Sequence, residues 1–283
     1  MPLHDKLDLA NPSDADWLME ATLGNMLSHA AIMELLVKKG IIGQGEYVET
    51  LGGILGYELE RGLLHHSDED ITPTTLYYHP GGEKAIEILA EMAHVSENTV
   101  ALDVGCGMGV TARYLAKNFG AKVTGIDTSF QRICLAILRT RTARLDRLVS
   151  FKWGDGKALP FADASFNLVY AQAIGERTAD VPLLRESWRV LGEGGLFALQ
   201  ERFQTERFRP EDMAGVKRQV PFGITEYKAK LAEAGFEFLD METEKMTPLY
   251  RAYEDRTFGD PFPAHWYGDK LVGAVLVAEK VKG

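Results

Sequence analysis

Val100-Ala-Leu-Asp-Val-Gly-Cys-Gly-Met-Gly109 is an apolar run that leads directly into three closely spaced glycines, and a helical pattern of apolar residues begins at the next position. This order predicts a buried strand, a tight loop and a helix. Because Gly105, Gly107 and Gly109 carry no side chains, a nucleoside and its attached chain can lie against the main-chain amides at the start of the helix. The segment therefore predicts a ligand site at the end of a strand.

The spacing of the glycines and of two carboxylates narrows the choice of ligand. A strand, a glycine loop and a helix are shared by nicotinamide, flavin and S-adenosylmethionine enzymes. Val110 stands where the Gly-x-Gly-x-x-Gly fingerprint needs its third glycine, which disfavours a tightly packed pyrophosphate. Asp103 precedes the first glycine by two residues, where a carboxylate can orient the loop and face a cationic ligand. Asp127 ends the next strand about 20 residues on, where a carboxylate can take both hydroxyls of a ribose.

Strand and helix patterns alternate on both sides of this motif. Short apolar runs predict strands at Thr99–Val104, Lys122–Ile126, Leu148–Trp153, Phe166–Ala171, Leu196–Gln200, Phe236–Met241 and Leu271–Lys280. Helical periodicity predicts helices near Gly82–Met92, Val110–Asn118, Ser129–Ala143, Val181–Leu191 and Thr225–Ala234. The alternation indicates an α/β fold, a Rossmann-like doubly wound sheet of seven strands in which the last two strands pair as an antiparallel edge and the last strand is antiparallel.

Residues 1–75 are predicted to form a separate helical module. Residues 1–70 contain four Lys or Arg and thirteen Asp or Glu, so this stretch carries nearly all of the chain's net charge of -10. One helix is predicted to end at Gly40, and a second to run from about Gly45 to Leu64. The module would serve as a lid or in oligomerisation, for which a homodimer through these helices is one arrangement, and residues 76–283 would form the ligand-binding domain.

Together the motifs resemble those of the class I S-adenosylmethionine-dependent methyltransferases, over roughly Tyr77 to Lys280. Besides the glycine loop, the matching phrases are Gly125-Ile-Asp-Thr-Ser129, Gly154-Asp-Gly156, Leu159-Pro-Phe-Ala-Asp-Ala-Ser-Phe166 and Trp188-Arg-Val-Leu-Gly-Glu-Gly-Gly195. The most similar branch methylates small molecules such as sugars, quinones, phenols, amines or sterols. The resemblance implies S-adenosylmethionine as the cofactor and a small-molecule acceptor as the partner.

The resemblance also implies roles for individual residues at the methyl-donor site. The methionine part of the donor would lie against Asp103, Gly105 and Gly107, its ribose against Asp127, and its adenine against Thr128, Asp155 and Gly156. Ala171 and Gln172 would border the sulfonium and the acceptor. Cys106, Gln131 and Gly154 complete the predicted donor site. Two simpler interpretations stay open, in which Asp155 only caps a turn and Cys106 only fills buried space.

The acceptor side departs from several O-methyltransferases of this branch, which place histidines just after the fourth strand. Glu176 and Arg177 stand there instead, so Glu176 is a candidate base or ammonium ligand and Arg177 a candidate carboxylate anchor, unless both are solvated. His79 is the second candidate catalytic residue. The other candidate acceptor residues are Tyr77, Tyr78, Glu201, His265, Trp266 and Tyr267, although aromatic residues at 77–79 would equally pack a linker on the core. Segments near 204–222 and 243–270 are predicted to close over the acceptor as caps.

Composition argues against several other classes of protein. The chain has 31 Lys and Arg against 41 Asp and Glu, without a basic cluster, so no nucleic acid is expected as a partner. The longest apolar runs, such as Ala30–Val37, fall short of the roughly 20 residues of a membrane span. The first residues lack the order of a secretory signal, and a cytoplasmic protein without membrane association is predicted. Cys106 and Cys134 are expected to be free thiols, and no metal site is predicted.

The predicted function is transfer of a methyl group from S-adenosylmethionine to an N or O nucleophile of a small molecule by in-line displacement. C- or S-methylation would use the same donor site and stays open. A protein that binds the donor without catalysis is a further alternative. A nicotinamide oxidoreductase is disfavoured by the glycine spacing and by Asp155.

Overall fold

The computed structural model describes residues 40–41, 43, 80–174, 180–213, 221–254 and 262–281, without the side chains of 131, 254 and 264. Its helices are α1 (Gly82–Met92), α2 (Val110–Phe119), α3 (Phe130–Thr142), α4 (Val181–Val190), α5 (Ile224–Glu233) and α6 (Met246–Glu254). Its strands are β1 (Val100–Val104), β2 (Lys122–Asp127), β3 (Val149–Trp153), β4 (Phe166–Gln172), β5 (Leu191–Gln204), β6 (Phe236–Glu242) and β7 (Leu271–Lys280). Short 3₁₀ helices lie at Pro210–Met213 and Ala264–Trp266. Within the described ranges, no helix combines the length and the apolarity that crossing a membrane requires. The predicted module at 1–75 falls almost wholly outside these ranges and stays a prediction.

The strands form one seven-stranded sheet in the order β3-β2-β1-β4-β5-β7-β6. The first five strands are parallel, and β7 is antiparallel to both β5 and β6. The predicted doubly wound sheet with an antiparallel last strand is therefore confirmed. The position of β7 between β5 and β6 follows from burial, since every residue from Gly273 to Ala278 is buried, whereas β6 alternates with exposed residues as an edge strand does.

Two hydrophobic clusters cover the opposite faces of the sheet. Successive residues of a strand point to opposite faces, and Val275 and Val277 of β7 accordingly belong to one cluster while Leu276 belongs to the other. The first cluster includes buried residues of α1, α2 and α6, and the second includes those of α4 and α5. Within the described part of the chain, the sheet is thus packed on both faces, which leaves its edges and strand ends for a ligand.

Two elements differ from their predicted bounds. β5 extends from Leu191 to Gln204 instead of Leu196 to Gln200, because the glycines that suggested a turn continue the pairing with β4 through an irregular register, with Gly194 at φ +69°. Helix α6 was not predicted. It lies within the segment expected to form a cap, yet its Tyr250 is fully buried against β7, where a Cβ on Gly273 would come within 2.1 Å of the ring.

Candidate active site

A cavity of about 460 Å³ opens at the carboxyl ends of β1, β2, β3 and β4. Parallel strands β1 and β2 are neighbours, so the carboxylates that end or nearly end them, Asp103 and Asp127, are brought to one edge. The predicted donor residues that line the cavity are Asp103, Gly105, Cys106, Gly107, Asp127, Thr128, Gly154, Asp155, Gly156 and Gln172. Lining residues that the sequence analysis did not single out include Thr111, Arg132, Lys157, Ile174 and Leu183.

The glycine loop is fixed to β2 by backbone hydrogen bonds. The N–H groups of Gly105 and Cys106 donate to the Ile126 carbonyl oxygen at 2.8 and 3.1 Å. Gly105 and Gly107 both have positive φ, but their surroundings differ. A Cβ on Gly105 would lie 2.4 Å from Cγ2 of Ile174, whereas a Cβ on Gly107 would meet nothing within 4 Å. The missing side chain of Gly105 therefore makes room for Ile174, and that of Gly107 leaves open space beside the loop.

Asp127 joins the loops that follow β1 and β2. Its Oδ2 accepts the Gly107 N–H at 2.9 Å, and its Oδ1 accepts the Ser129 N–H at 2.8 Å. A carboxylate has about four lone-pair sites, so one further acceptor site is left on each oxygen. The carboxyl group is buried, which makes its orientation well defined. Asp127 thus has a structural role that the sequence analysis did not predict, besides its predicted role at the ribose.

A buried cluster of three polar side chains lies beneath the glycine loop: Asp103, Cys106 and Tyr170. Burial raises the pKa of Asp103 to about 8, an effect that the Tyr170 hydroxyl opposes and the charge of Asp127 increases. Tyr170 is the register partner of Asp103 on β4, and its buried hydroxyl lies close enough to the Asp103 carboxyl group to oppose the rise of its pKa. Burial, followed by the charges of Asp103 and Asp127, raises the pKa of the Cys106 thiol well above its usual range. Cys106 is therefore a protonated thiol in this site, unsuited to nucleophilic attack.

The loop after β3 forms another wall of the cavity. Oδ1 of Asp155 accepts the Lys157 N–H at 3.0 Å, so Asp155 does cap a turn while it also lines the cavity. Gly156 is needed for close packing, since a Cβ there would come within 2.8 Å of Cγ1 of Val104. The Lys157 ammonium pairs with the Asp180 carboxylate just before α4. The Gly-Asp-Gly phrase indicates the turn that Asp155 caps. It does not indicate the contacts with Val104 and Asp180, which are distant in sequence.

Gln172 is bound on both sides by side chains from other elements. Its Oε1 accepts the hydroxyl hydrogen of Thr111, at 2.5 Å, in the first turn of α2. Its Nε2 donates to Oε1 of Gln200, at 2.7 Å, on β5. Sequence analysis missed Thr111 and Gln200, because their contacts with Gln172 span 61 and 28 residues and leave no local signal.

Several predicted site residues do not line this cavity. Ala171 is fully buried in the sheet. Trp266 packs against Phe208 and Phe262, and Tyr267 against Tyr250, so both belong to the core. Their predicted role in lining the acceptor pocket stays a prediction. His265 is exposed on the same 3₁₀ helix.

Glu201 is also buried, within β5, and does not line the cavity. Its Oε1 accepts the Arg202 N–H at 2.9 Å, and the Arg202 guanidinium lies over the rings of Tyr250 and Phe262. Five predicted site residues lie outside the described ranges, namely Tyr77, Tyr78, His79, Glu176 and Arg177. The side chain of Gln131 is also not described.

The residues of the cavity fit S-adenosylmethionine. The volume of the cavity lies in the range of small-molecule sites, about 300 to 1,000 Å³. Asp127 has unused acceptor sites for hydroxyl groups, Gly107 leaves the loop open, and carboxyl groups at 103, 127 and 155 suit a ligand with a positive sulfur and an ammonium group. Within the described residues, no cluster of His, Cys, Asp or Glu is placed to hold a metal ion.

Comparison with known proteins points to the same class. Residues 101–195 match the protein family described as methyltransferase domain. The chain is 29% identical over 189 residues to a sterol 24-C-methyltransferase of Debaryomyces hansenii, covering 63% of this chain and 49% of that protein. It is 32% identical over 185 residues to the 27-O-demethylrifamycin SV methyltransferase of Amycolatopsis mediterranei, covering 62% of this chain and 66% of that protein. The chain thus spans about half the length of the sterol methyltransferases that it matches.

The fold is shared with a solved methyltransferase. The crystal structure of geranyl diphosphate C-methyltransferase from Streptomyces coelicolor A3(2) superimposes with a TM-score of 0.61 at 18% identity, covering 70% of this chain and 78% of that chain. Residues 101–195 therefore form a methyltransferase domain, and the residues of the cavity fit S-adenosylmethionine as the cofactor. Within that class it is similar to methyltransferases of small molecules.

Proposed function

We propose that the protein transfers a methyl group from S-adenosylmethionine to a small-molecule acceptor. The observation that carries this proposal is the buried Asp127 carboxylate, held by the amides of Gly107 and Ser129 next to the open space at Gly107. A carboxylate fixed in this way is preorganised to accept two neighbouring hydroxyl groups. This geometry supports a ribose site that is formed before the ligand arrives.

The chain's own residues would hold the donor by charge and by shape. Asp127 would accept the ribose hydroxyls, Asp155 would accept the amino group of adenine, and a carboxyl oxygen of Asp103 would accept a hydrogen bond from the ammonium group of the methionine part. Bound S-adenosylmethionine supplies a methyl group that is already activated by a positively charged sulfur. The protein then contributes alignment and exclusion of water, for which Ile174 and Leu183 provide an apolar wall.

We propose a nitrogen or oxygen nucleophile as the acceptor, attacking by in-line displacement. Glu176 is the proposed base where the nucleophile is a hydroxyl, because no histidine occurs in the segment after β4. For an amine, Glu176 would hold the substrate's charge instead. One of the relatives is named a 27-O-demethylrifamycin SV methyltransferase, which supports an oxygen acceptor.

Carbon methylation is the second candidate. The observation in its favour is the similarity to a sterol 24-C-methyltransferase over 63% of this chain. Carbon nucleophiles would use the same donor site, so Asp127 and the glycine loop do not separate the two. The difference must come from the residues around the acceptor.

Incubation with a small-molecule extract of the host and S-adenosylmethionine carrying an isotopically labelled methyl group tests the proposal. A labelled product found by mass spectrometry is expected with the natural protein and not with the Asp127→Ala variant. Nuclear magnetic resonance of the product then assigns the methyl to nitrogen, oxygen or carbon. Absence of any labelled small molecule, from a protein that binds the donor, would contradict the proposed activity and favour a non-catalytic binder.

A further inference from the structure

A chain of amide hydrogen bonds leads from the cavity wall to Pro80, two residues before α1. Gln172 ends β4, and its register partner is Gln200 within β5. Nε2 of Gln172 donates to Oε1 of Gln200 at 2.7 Å, and Nε2 of Gln200 donates to the Pro80 carbonyl oxygen at 2.7 Å. The backbone carbonyl of Gln200 accepts the Ala173 N–H at 2.9 Å, so both its side chain and its main chain hold the end of β4.

The direction of this chain is set at Pro80. A carbonyl oxygen can only accept, so the amide of Gln200 must present its NH₂ group to Pro80 and its oxygen to Gln172. Gln172 must then present its own NH₂ group to Gln200 and its oxygen to the Thr111 hydroxyl, as observed. For the side-chain amides of both Gln172 and Gln200, only one of the two orientations pairs every donor with an acceptor. The orientation of Gln172 at the cavity is therefore decided by a contact 120 residues apart in sequence.

We infer that Gln200 is a positioning residue for the methyl-donor site. Its side chain is fully buried and does not line the cavity, so this side chain acts on the site through Gln172, which does line it. Since one amide hydrogen and one lone pair of Gln172 are engaged, one N–H and one lone pair are left for a ligand, and the Gln200 contact sets their direction. This inference rests on the proposed function, in which Gln172 borders the donor sulfur and the acceptor.

Gln200→Met tests the inference, because methionine fills similar space without the amide. The probe is S-adenosylhomocysteine, whose affinity is measured by calorimetry. Loss of the held orientation should weaken binding about five- to tenfold, the size of a typical net hydrogen bond. Asn167→Leu is the matched control. Its amide on β4 also bridges two backbone groups, the Val100 N–H and the Asn98 carbonyl, but it does not line the cavity, so affinity should stay within about twofold.

A double-mutant cycle separates positioning from general loss of structure. In a Gln172→Met background, the Gln200→Met substitution should have no further effect on S-adenosylhomocysteine affinity, although it still lowers the melting temperature. Equal effects of Gln200→Met in both backgrounds would overturn the inference, and so would an unchanged affinity of the single variant.

Gln200→Asn carries the test if Gln200→Met does not fold. The shorter amide keeps a polar group in the buried site but cannot reach both Gln172 and Pro80, and at least threefold weaker binding is expected. Unchanged affinity in this variant would likewise overturn the inference. Failure of the natural protein to bind S-adenosylhomocysteine would instead contradict the proposed function, so the two failures are distinguishable.

Discussion

Replacing Asp127 with alanine should weaken donor binding at least tenfold without unfolding the protein. Hydrogen bonds to a charged group contribute about 1.5 to 3 kcal/mol each. Loss of a single ribose bond therefore weakens affinity about tenfold to more than a hundredfold, at 1.4 kcal/mol per factor of ten. The variant also leaves the Gly107 and Ser129 amides without their acceptor, 2.9 and 2.8 Å away in the natural protein. Because these amides border the cavity, water can replace the carboxylate, and the cost to folding should stay near 1 to 3 kcal/mol.

Calorimetry with S-adenosylhomocysteine measures the affinity, and urea unfolding measures the stability. Asp240→Ala is the control, since Asp240 is an exposed carboxylate on β6 that accepts only a neighbouring backbone N–H, from Met241 at 2.7 Å. The Asp240→Ala variant should bind S-adenosylhomocysteine with the affinity of the natural protein. The Asp127→Asn variant should bind it nearly as weakly as Asp127→Ala, because an amide must turn its NH₂ group toward one of the two backbone N–H groups. An affinity of Asp127→Ala within threefold of the natural protein would refute the assignment of this carboxylate to the donor.

Four further substitutions test other parts of the site. Gly107→Val should abolish S-adenosylhomocysteine binding in a folded protein, because its side chain would fill the open space beside the loop. Gly105→Ala should instead lower the free energy of unfolding by about 1 to 3 kcal/mol, because its methyl group collides with Ile174. Circular dichroism measures the folding of each variant, and calorimetry measures its affinity. Burial raises the pKa of Asp103 from 3.8 to about 8, so between these values the folded protein keeps a proton that the unfolded chain releases. The free energy of unfolding should therefore fall as the pH rises through this interval. Urea unfolding at pH 5 and pH 8 measures this fall, and the contribution of Asp103 should be absent in Asp103→Asn. Glu176→Gln should lower turnover roughly 100-fold with unchanged donor affinity if Glu176 is the base, and unchanged kcat and KM would return Glu176 to a solvated role.

Local patterns were sufficient for most elements of the sheet. β1 to β4, β6 and β7 begin and end within about one residue of their predicted bounds, since each is a short apolar run closed by a turn signal. β5 was predicted too short because its glycines were interpreted as a turn. Helix α6 was missed because its periodicity is interrupted by Pro248 and its burial depends on Gly273, which is distant in sequence.

The sequence by itself determined the class of fold, the glycine loop and the carboxylates at the ends of β1 and β2. It did so because hydrophobic periodicity is local and parallel strands present their carboxyl ends at one edge. Only the tertiary structure decided what each group contacts. It separated Gly105, which accommodates Ile174, from Gly107, which faces open space, and it gave Asp127 its second role in joining two loops. It alone connected Gln172 to Gln200 and Pro80, because hydrogen bonds between distant segments depend on strand register and packing and leave no pattern in the chain.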